Sequence, residues 1–169
     1  MAYFIIIRGP LGVGKTTIAK KLAKILHAKY ISIDAVLEKS GLDKVSGKEK
    51  YISLRNFITV NKKSLPKMKN ILKRSKIIVL DGNFYYKKQI QHLIRKLLRY
   101  KIYIFTLKAT LPTCIKRDGQ RKKPYGKDAV QAVYSAVSRF DYGIKVKTDN
   151  KTTMQVVREI YHHLPKDIG

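Results

Sequence analysis

The sequence predicts an α/β fold in which a parallel sheet carries helices on both faces. Two observations support this prediction. Short runs rich in isoleucine, valine and aromatic residues alternate with segments whose apolar residues recur at helical spacing. These runs are mostly apolar throughout, as are strands buried on both faces. The repeated strand-then-helix order is typical of right-handed crossovers between parallel strands.

The individual elements follow from these patterns. Five strands are predicted at residues 3–7, 30–33, 77–80, 102–107 and 144–146. Four helical stripes are predicted to face the core: Ile18, Leu22, Ile25 and Leu26; Ile90, Leu93, Ile94, Leu97 and Leu98; Val130, Val133, Val137 and Phe140; and Met154, Val157, Tyr161 and Leu164.

Two basic stretches fit the alternation less well. Residues 40–74 are broken by Gly41, Gly47 and Pro66, with a helical patch near residues 51–60. Residues 111–127 are rich in lysine and arginine. Because both stretches follow strand ends, we expect both to overhang a ligand site at the carboxyl edge of the sheet. The first would be an acceptor-side insert and the second a lid.

Composition indicates one strongly basic domain. No linker rich in Gly, Ser or Pro divides the 169 residues, so a single domain is predicted over residues 1–169. Lys and Arg number 37 against 11 Asp and Glu, which gives a net charge of +26. Such a surface attracts polyanions, so either nucleic acid is a partner or the charge reflects a lysine-rich source. Charge alone does not decide between them.

Cysteine content and hydropathy bear on location. Cys114 is the only cysteine, so no internal disulfide can form, and its apolar neighbours predict a buried thiol. No apolar run approaches the roughly 20 residues that a membrane-spanning helix needs. We therefore expect a cytoplasmic protein without a membrane partner.

Residues 9–16 match the pattern G-x-x-x-x-G-K-[ST] in full, between an apolar run and an amphipathic segment. A glycine-rich turn in that position surrounds a phosphate with backbone N–H groups and the positive end of a helix dipole. The sequence therefore predicts binding of ATP with Mg²⁺. The expected nucleotide-binding residues are Gly9, Gly12, Val13, Gly14, Lys15, Thr16 and Thr17.

The side chains of this loop have separate expected roles. Lys15 would reach the β- and γ-phosphates, Thr16 would bind Mg²⁺ and Thr17 would contact the α-phosphate. Catalysis is a further claim, because it also needs carboxylates and a clamp on the transferring phosphoryl group.

Two carboxylates are predicted at strand ends beside this loop. Asp34 follows the second apolar run and Asp81 the third. We expect Asp34 to act as the base that takes the proton of an acceptor hydroxyl, and Asp81 to hold Mg²⁺, although the roles are interchangeable at this stage. The alternatives are a helix N-cap for Asp34 and a turn residue for Asp81. Asn83 would either orient the acceptor or complete the turn.

Arg117 and Arg121 are the predicted transition-state clamp. They are four residues apart, which would place them on one face of a helix in the lid. Planar guanidinium groups match the charge that spreads over the phosphoryl oxygens, and a lid would keep water from the phosphate. The alternative is an ordinary solvated basic helix.

With these motifs in order, the chain resembles the P-loop kinases of the adenylate kinase and shikimate kinase type, and within them the branch of polynucleotide kinase and its small relatives. The resemblance covers nearly the whole chain. It rests on residues 9–17, Asp34, the segment from Val79 to Asn83, residues 114–121, and Thr148-Asp149-Asn150.

This resemblance implies a three-layer P-loop NTPase fold with strand order 2-3-1-4-5. It also implies that Asp34 is the base, that Arg117 and Arg121 contact ATP phosphates, and that Asn150 lies near the adenine. The chain departs from the family in two respects. No arginine follows Asp34 closely, and arginine pairs that would grip an acceptor phosphate are not recognisable, since the insert holds only Arg55 before its last residue.

Three functions compete at this stage. The leading hypothesis is an ATP-dependent kinase whose acceptor is a hydroxyl, of either a small metabolite or a nucleic-acid 5′ end. Tyr85 and Tyr86 would stack a terminal base in the second case, or else belong to the core. The alternatives are a nucleoside monophosphate kinase and a nucleotide-dependent nucleic-acid-binding protein without transfer activity.

Overall fold

Five strands and seven helices make up the part of the chain that the computed structural model describes, residues 1–45 and 50–166. The strands are β1 (Tyr3–Arg8), β2 (Lys29–Ser32), β3 (Ile78–Gly82), β4 (Lys101–Lys108) and β5 (Ile144–Lys147). The helices are α1 (Lys15–Ile25), α2 (Ile33–Lys39), α3 (Leu54–Lys73), α4 (Lys87–Lys96), α5 (Leu111–Gly119), α6 (Lys127–Val137) and α7 (Thr153–His162). Gly47, at which a break was predicted, lies outside the described residues.

All strands are parallel and lie in the order β2-β3-β1-β4-β5, which confirms the order implied by the resemblance. β1 is central and buried along its whole length. Its side chains alternate between two hydrophobic clusters: Ile5 and Ile7 pack with α1 and α7, and Phe4 and Ile6 pack with α3 and α4. Burial on both faces explains why the sequence of β1 is a continuous apolar run.

The insert is more regular than predicted. One 20-residue helix, α3, runs through Pro66, which was expected to interrupt it. The helix buries Phe57 and Val60 before the proline and Met68 and Leu72 after it. Packing of this apolar face against the sheet outweighs the roughly 3 kcal/mol that an interior proline costs a helix.

The predicted helical stripes need small corrections. Ile25 and Leu98 are exposed, at 41% and 73%, and Leu98 lies beyond the end of α4. In α7 the predicted Tyr161 is 39% exposed, and the core positions are Val156, Val157 and Ile160; Leu164 is also buried but follows the helix. Within α1 and α7 the error is one position of helical phase, because the expected stripe was drawn through a large apolar residue that the helix turns outward.

A buried arginine joins the layers at the carboxyl edge of the sheet. Arg8, the last residue of β1, is fully buried. Its guanidinium donates to Thr106 Oγ1 (3.1 Å) and to the carbonyl oxygens of Phe84 (3.3 Å), Val137 (3.0 Å) and Phe140 (3.1 Å). Burial lowers the pKa of Arg8 to about 10. These bonds fix the end of α6 and the segment after β3 to the strand that leads into the glycine loop.

Among the described helices, none has the length and apolar content needed to cross a membrane.

Candidate active site

The glycine loop joins β1 to α1 and has a geometry that only glycine permits. Gly12 and Gly14 have φ values of 78° and 98°, in the left-handed region. A Cβ on Gly12 would lie 2.2 Å from the carbonyl oxygen of Cys114, so α5 packs directly on the loop. Gly9 lies beneath the loop, where a Cβ would lie 3.0 Å from the Leu107 carbonyl oxygen. Cys114 itself is buried, as predicted.

A cavity of about 650 Å³ opens above this loop. Thr16 and Thr17 lie at its floor in the first turn of α1, where unpaired helix N–H groups and the helix dipole favour an anion. Of the predicted nucleotide-binding residues, the lining contains Gly12, Val13, Gly14, Lys15, Thr16 and Thr17. Residues of the predicted loop therefore form the floor of the cavity, and phosphate binding there stays a prediction.

Asn150 is less well placed than expected. The cavity lining contains Thr148 and Lys151 on either side of it, and Asn150 is exposed with a left-handed φ of 55°. Its neighbour Asp149 is used structurally, since the carboxylate accepts hydrogen bonds from the Thr113 hydroxyl (2.7 Å) and the Thr110 N–H (3.2 Å). The turn of Asp149 and Asn150 therefore caps the start of α5, and contact with adenine stays a prediction.

Lys15 lies between the cavity and the acidic edge of the sheet. Its side chain is almost fully buried, and Nζ donates to the Pro10 carbonyl oxygen at 2.8 Å. Burial lowers the pKa of Lys15, and the nearby carboxylates of Asp34 and Asp81 oppose that change. The two carboxylates thus help to keep the buried ammonium group charged.

Asp81 lies within β3 and is almost fully buried, so it is not merely a turn residue. Its Oδ2 accepts a hydrogen bond from Thr16 Oγ1 at 2.9 Å, and its Oδ1 accepts one from the Tyr30 hydroxyl at 3.1 Å. The two predicted metal-binding residues are thus brought together although 65 positions separate them. Tyr30 is a partner that the sequence pattern did not single out.

Asp34 is not at a strand end, contrary to expectation. β2 ends at Ser32, whose Oγ accepts the Ala35 N–H at 3.2 Å, so α2 begins at Ile33 and Asp34 lies in its first turn. Ser32, and not Asp34, is therefore the N-cap. The carboxylate still lies at the carboxyl edge, because it interacts electrostatically with Lys15 and accepts a hydrogen bond from the Asn83 backbone.

The environment of Asp34 favours proton uptake. The pKa of Asp34 is raised to about 6, chiefly by burial; the charge of Lys15 opposes the rise, and the charge of Asp81 adds to it. Among the described residues, the buried Oδ1 atoms of Asp34 and Asn83 have no hydrogen-bond partner. Two unpaired oxygens at one edge are suited to accept hydrogen bonds from a ligand that donates them.

The two lid arginines differ more than their spacing suggests. Arg117 lies within α5 and donates to Thr148 Oγ1 (2.9 Å), the Thr148 carbonyl oxygen (3.0 Å) and the Val13 carbonyl oxygen (3.3 Å). It therefore ties the glycine loop to the segment after β5. Because α5 ends at Gly119, Arg121 lies beyond it, so the two arginines do not share a helical face as predicted. Both nevertheless line the cavity.

Asp118 orders the segment that carries Arg121. It is almost fully buried, and its carboxylate accepts the backbone N–H groups of Tyr125 (3.2 Å) and Gly126 (3.0 Å). Arg121 Nε lies 4.0 Å from the same carboxylate, and its guanidinium lies 4.7 Å from the centre of the Tyr125 ring. The end of the lid is thus folded around one acid that sequence reasoning missed. An isolated acid in a basic segment was the available signal.

The burial of the tyrosines after Asn83 bears on whether they stack a base or belong to the core. Tyr85 is 5% exposed, and its hydroxyl accepts the Ile52 N–H at 2.9 Å. Tyr86 is half-buried, and its ring lies 5.9 Å from that of Phe57. Tyr85 is therefore a core residue that connects the segment before α3 to the segment after β3, and it is not an exposed platform for a base.

Comparison with known proteins identifies the family. A family model described as an AAA domain matches residues 4–142. The "Putative adenylate kinase" of Pyrococcus furiosus is 31% identical over 166 residues, covering 92% of this chain and 81% of that protein.

Two solved structures share the fold. An unliganded sugar kinase from Janibacter sp. HTCC2649 has a TM-score of 0.75 at 11% identity and covers 96% of this chain and 94% of its own. Kti12 from Chaetomium thermophilum, in complex with ADP-AlF3, has a TM-score of 0.63 at 19% identity and covers 96% of this chain and 100% of its own. The fold, the complete glycine loop and the family match agree: the chain belongs to the AAA-domain family of P-loop kinases.

Proposed function

We propose that this protein is a kinase that transfers the γ-phosphate of ATP to the hydroxyl group of an acceptor. The observation that carries the proposal is the Asp34 carboxylate, which has an unpaired buried oxygen and a pKa raised to about 6 by burial, beside Lys15. A carboxylate of that pKa is ionised at neutral pH and is a better proton acceptor than an ordinary one. Transfer to a hydroxyl requires such a base.

The reaction balances with these residues. The acceptor oxygen forms a bond to the γ-phosphorus as the bond to the bridging oxygen of ADP breaks, and Asp34 takes the hydroxyl proton. Lys15 and Arg121 offset the charge on the phosphoryl oxygens. Arg117 contacts the nucleotide while it holds the glycine loop to Thr148. Asn83 accepts a hydrogen bond from the acceptor through its unpaired Oδ1.

The chain offers oxygen ligands that suit Mg²⁺. The Thr16 hydroxyl and the Asp81 carboxylate lie within hydrogen-bond distance of each other, and hard oxygen donors of this kind are what Mg²⁺ prefers. No cluster of three or more His, Cys, Asp or Glu side chains offers another metal site among the described residues. When bound, Mg²⁺ would neutralise phosphate charge and orient the phosphates, with Thr16 and Asp81 holding it.

A nucleoside monophosphate kinase is the second candidate, favoured by the likeness to the protein named "Putative adenylate kinase". An acceptor phosphate would need cations around it and no base. The unpaired buried atoms at the acceptor edge are instead oxygens of Asp34 and Asn83, which repel a phosphate and accept a hydrogen bond from a hydroxyl group. This chemistry favours a hydroxyl acceptor, of either a small metabolite or a nucleic-acid 5′ end.

A transfer assay with labelled γ-phosphate tests the proposal. The acceptors are 5′-hydroxyl RNA, 5′-hydroxyl DNA, AMP, CMP, UMP and a panel of sugars and other hydroxyl metabolites. We expect label in a hydroxyl acceptor, loss of transfer in Lys15→Ala, and a fall of about 10²–10⁴ in Asp34→Asn with ADP affinity unchanged. The rate should fall as pH decreases through about 6, because protonated Asp34 cannot act as base.

Two results would contradict the proposal. Transfer to AMP, CMP or UMP that survives in Asp34→Asn would show a monophosphate kinase without a base. Slow ATP hydrolysis with every acceptor, combined with RNA binding, would show a nucleic-acid-binding protein without transfer activity. Glu38→Gln, a carboxylate change in the last turn of the same helix, is the matched control and should leave transfer unaffected.

A further inference from the structure

Tyr30 makes a polar contact for which core packing gives no reason. It lies on edge strand β2, half-buried, with its ring against the hydrophobic cluster under α1. Its hydroxyl donates to Asp81 Oδ1 at 3.1 Å, while Thr16 donates to the other oxygen, Oδ2, at 2.9 Å. The Lys20 ammonium group lies 5.6 Å from the ring centre, on the solvent side. A phenylalanine would fill the same apolar space without the hydroxyl.

The two hydrogen bonds together fix the plane of the Asp81 carboxylate. With one donor the group could still turn about its Cβ–Cγ bond, whereas donors at both oxygens leave one orientation. Thr16 gives its proton to Asp81, so the lone pairs of Thr16 Oγ1 stay available to a cation. Each carboxylate oxygen also keeps a further lone pair for a cation or its water.

We propose that Tyr30 is a positioning residue that holds the Asp81 carboxylate in the orientation needed to bind the divalent cation of a metal–nucleotide complex. The inference rests on the proposed Mg²⁺ role of Thr16 and Asp81, but not on the identity of the acceptor. Partners that orient a metal-binding carboxylate typically change metal affinity by 10–100-fold when removed. Tyr30 acts through Asp81 and touches neither phosphate nor acceptor.

Binding measurements on Tyr30→Phe test this without turnover. ADP affinity is measured by titration calorimetry in Mg²⁺ and again in EDTA, and Mn²⁺ binding to the ADP complex is measured by electron paramagnetic resonance. We expect Mn²⁺ affinity and the Mg²⁺-dependent gain in ADP affinity to fall about tenfold. ADP affinity in EDTA should stay unchanged, because the Tyr30 hydroxyl interacts with the side chains of Asp81 and Thr16, both of which would act on the phosphates through the cation.

Tyr134→Phe is the matched control. Tyr134 packs against the same hydrophobic cluster, and its hydroxyl donates to the Ala109 carbonyl oxygen at 3.0 Å instead of to a carboxylate. It should leave metal affinity unchanged.

Two outcomes would overturn the inference. Metal affinity equal to that of the unaltered protein in Tyr30→Phe would show that one donor suffices to orient Asp81. An equal loss of ADP affinity in Mg²⁺ and in EDTA would show a general structural role. Because no acceptor is used, neither outcome depends on the phosphotransfer proposal, which the labelled-phosphate assay tests separately.

Discussion

The glycine loop and the acidic edge of the sheet lie on either side of Lys15, and they are built in opposite ways. The loop consists of consecutive residues, and its glycines meet their own neighbours and the backbone of α5. The edge is assembled from Asp34 in α2 and from Asp81 and Asn83 at the end of β3. At the edge, buried Oδ1 atoms of Asp34 and Asn83 have no hydrogen-bond partner among the described residues.

This difference distinguishes a loop backbone that packing holds in place from polar side-chain atoms that are left without a partner. The loop is held by close packing against its neighbours, so its conformation is fixed when the chain folds. The edge carries unpaired polar atoms that cost stability, and a bound acceptor would satisfy them. The free energy of unfolding should therefore fall when a loop glycine is replaced and rise when the buried charge at the edge is removed.

The largest effect is expected from Gly12→Ala. The added methyl group would lie 2.2 Å from the Cys114 carbonyl oxygen, and alanine would have to adopt a φ of 78°. Strain and overpacking together should lower the free energy of unfolding by about 3 kcal/mol. Urea unfolding monitored by circular dichroism measures it.

Gly41→Ala separates the two causes. Gly41 has a similar φ of 66°, but nothing lies within 4 Å of its added Cβ. The conformational penalty alone should cost about 1 kcal/mol. If both variants lose the same free energy, contact between α5 and the loop does not fix the loop geometry.

Asp34→Asn is expected to have an intermediate effect of opposite sign, an increase in the free energy of unfolding. The pKa of Asp34 is about 6 in the folded protein against 3.8 ordinarily, so the folded state binds the proton more tightly than the unfolded chain. Stability therefore decreases as pH rises from about 4 to 6, and the full cost is present above 6. Removing the charge should stabilise the protein by about 1–2 kcal/mol at pH 7.5, allowing for partial exposure.

Unfolding free energies at pH 3.5 and 7.5 check this prediction. The gain should vanish at pH 3.5, where Asp34 is protonated in the folded protein. Glu38→Gln again serves as control, since Glu38 is exposed on the same helix. A gain independent of pH would show that the amide packs better than the carboxyl group and that charge burial is not the cause.

The same contrast explains what the sequence could predict. Residues 9–17 form a contiguous motif whose spacing determines the conformation of the loop, so the loop was predicted from the sequence, and six of its residues line the cavity. The position of Asp81 beside the glycine loop was also predicted, because the carboxyl ends of parallel strands meet at one edge, whereas the strand order was implied by the family resemblance.

Residues whose roles depend on distant partners were missed. Tyr30 is an ordinary aromatic residue in a strand until Asp81 is placed beside its hydroxyl. Arg8 and Asp118 are isolated charges whose partners are mostly backbone atoms, and backbone partners leave no pattern in the sequence. Asp34 was predicted at a strand end but lies in the first turn of α2, because Ser32 caps that helix before the apolar run has ended.

The smallest expected effect is a difference in stability between variants of Arg117 and Arg121, the two arginines that line the cavity above the loop. Arg117→Gln removes hydrogen bonds to Val13 and Thr148 and should lower the free energy of unfolding by about 1 kcal/mol, together with ADP affinity. Arg121, with a side chain 46% exposed, should tolerate Arg121→Gln within about 0.5 kcal/mol while transfer slows. Urea unfolding, ADP calorimetry and the transfer assay on both variants measure this. Equal destabilisation would mean that Arg121 also supports the fold. Equal stability with equal loss of transfer would mean that the Arg117 hydrogen bonds add little to the fold.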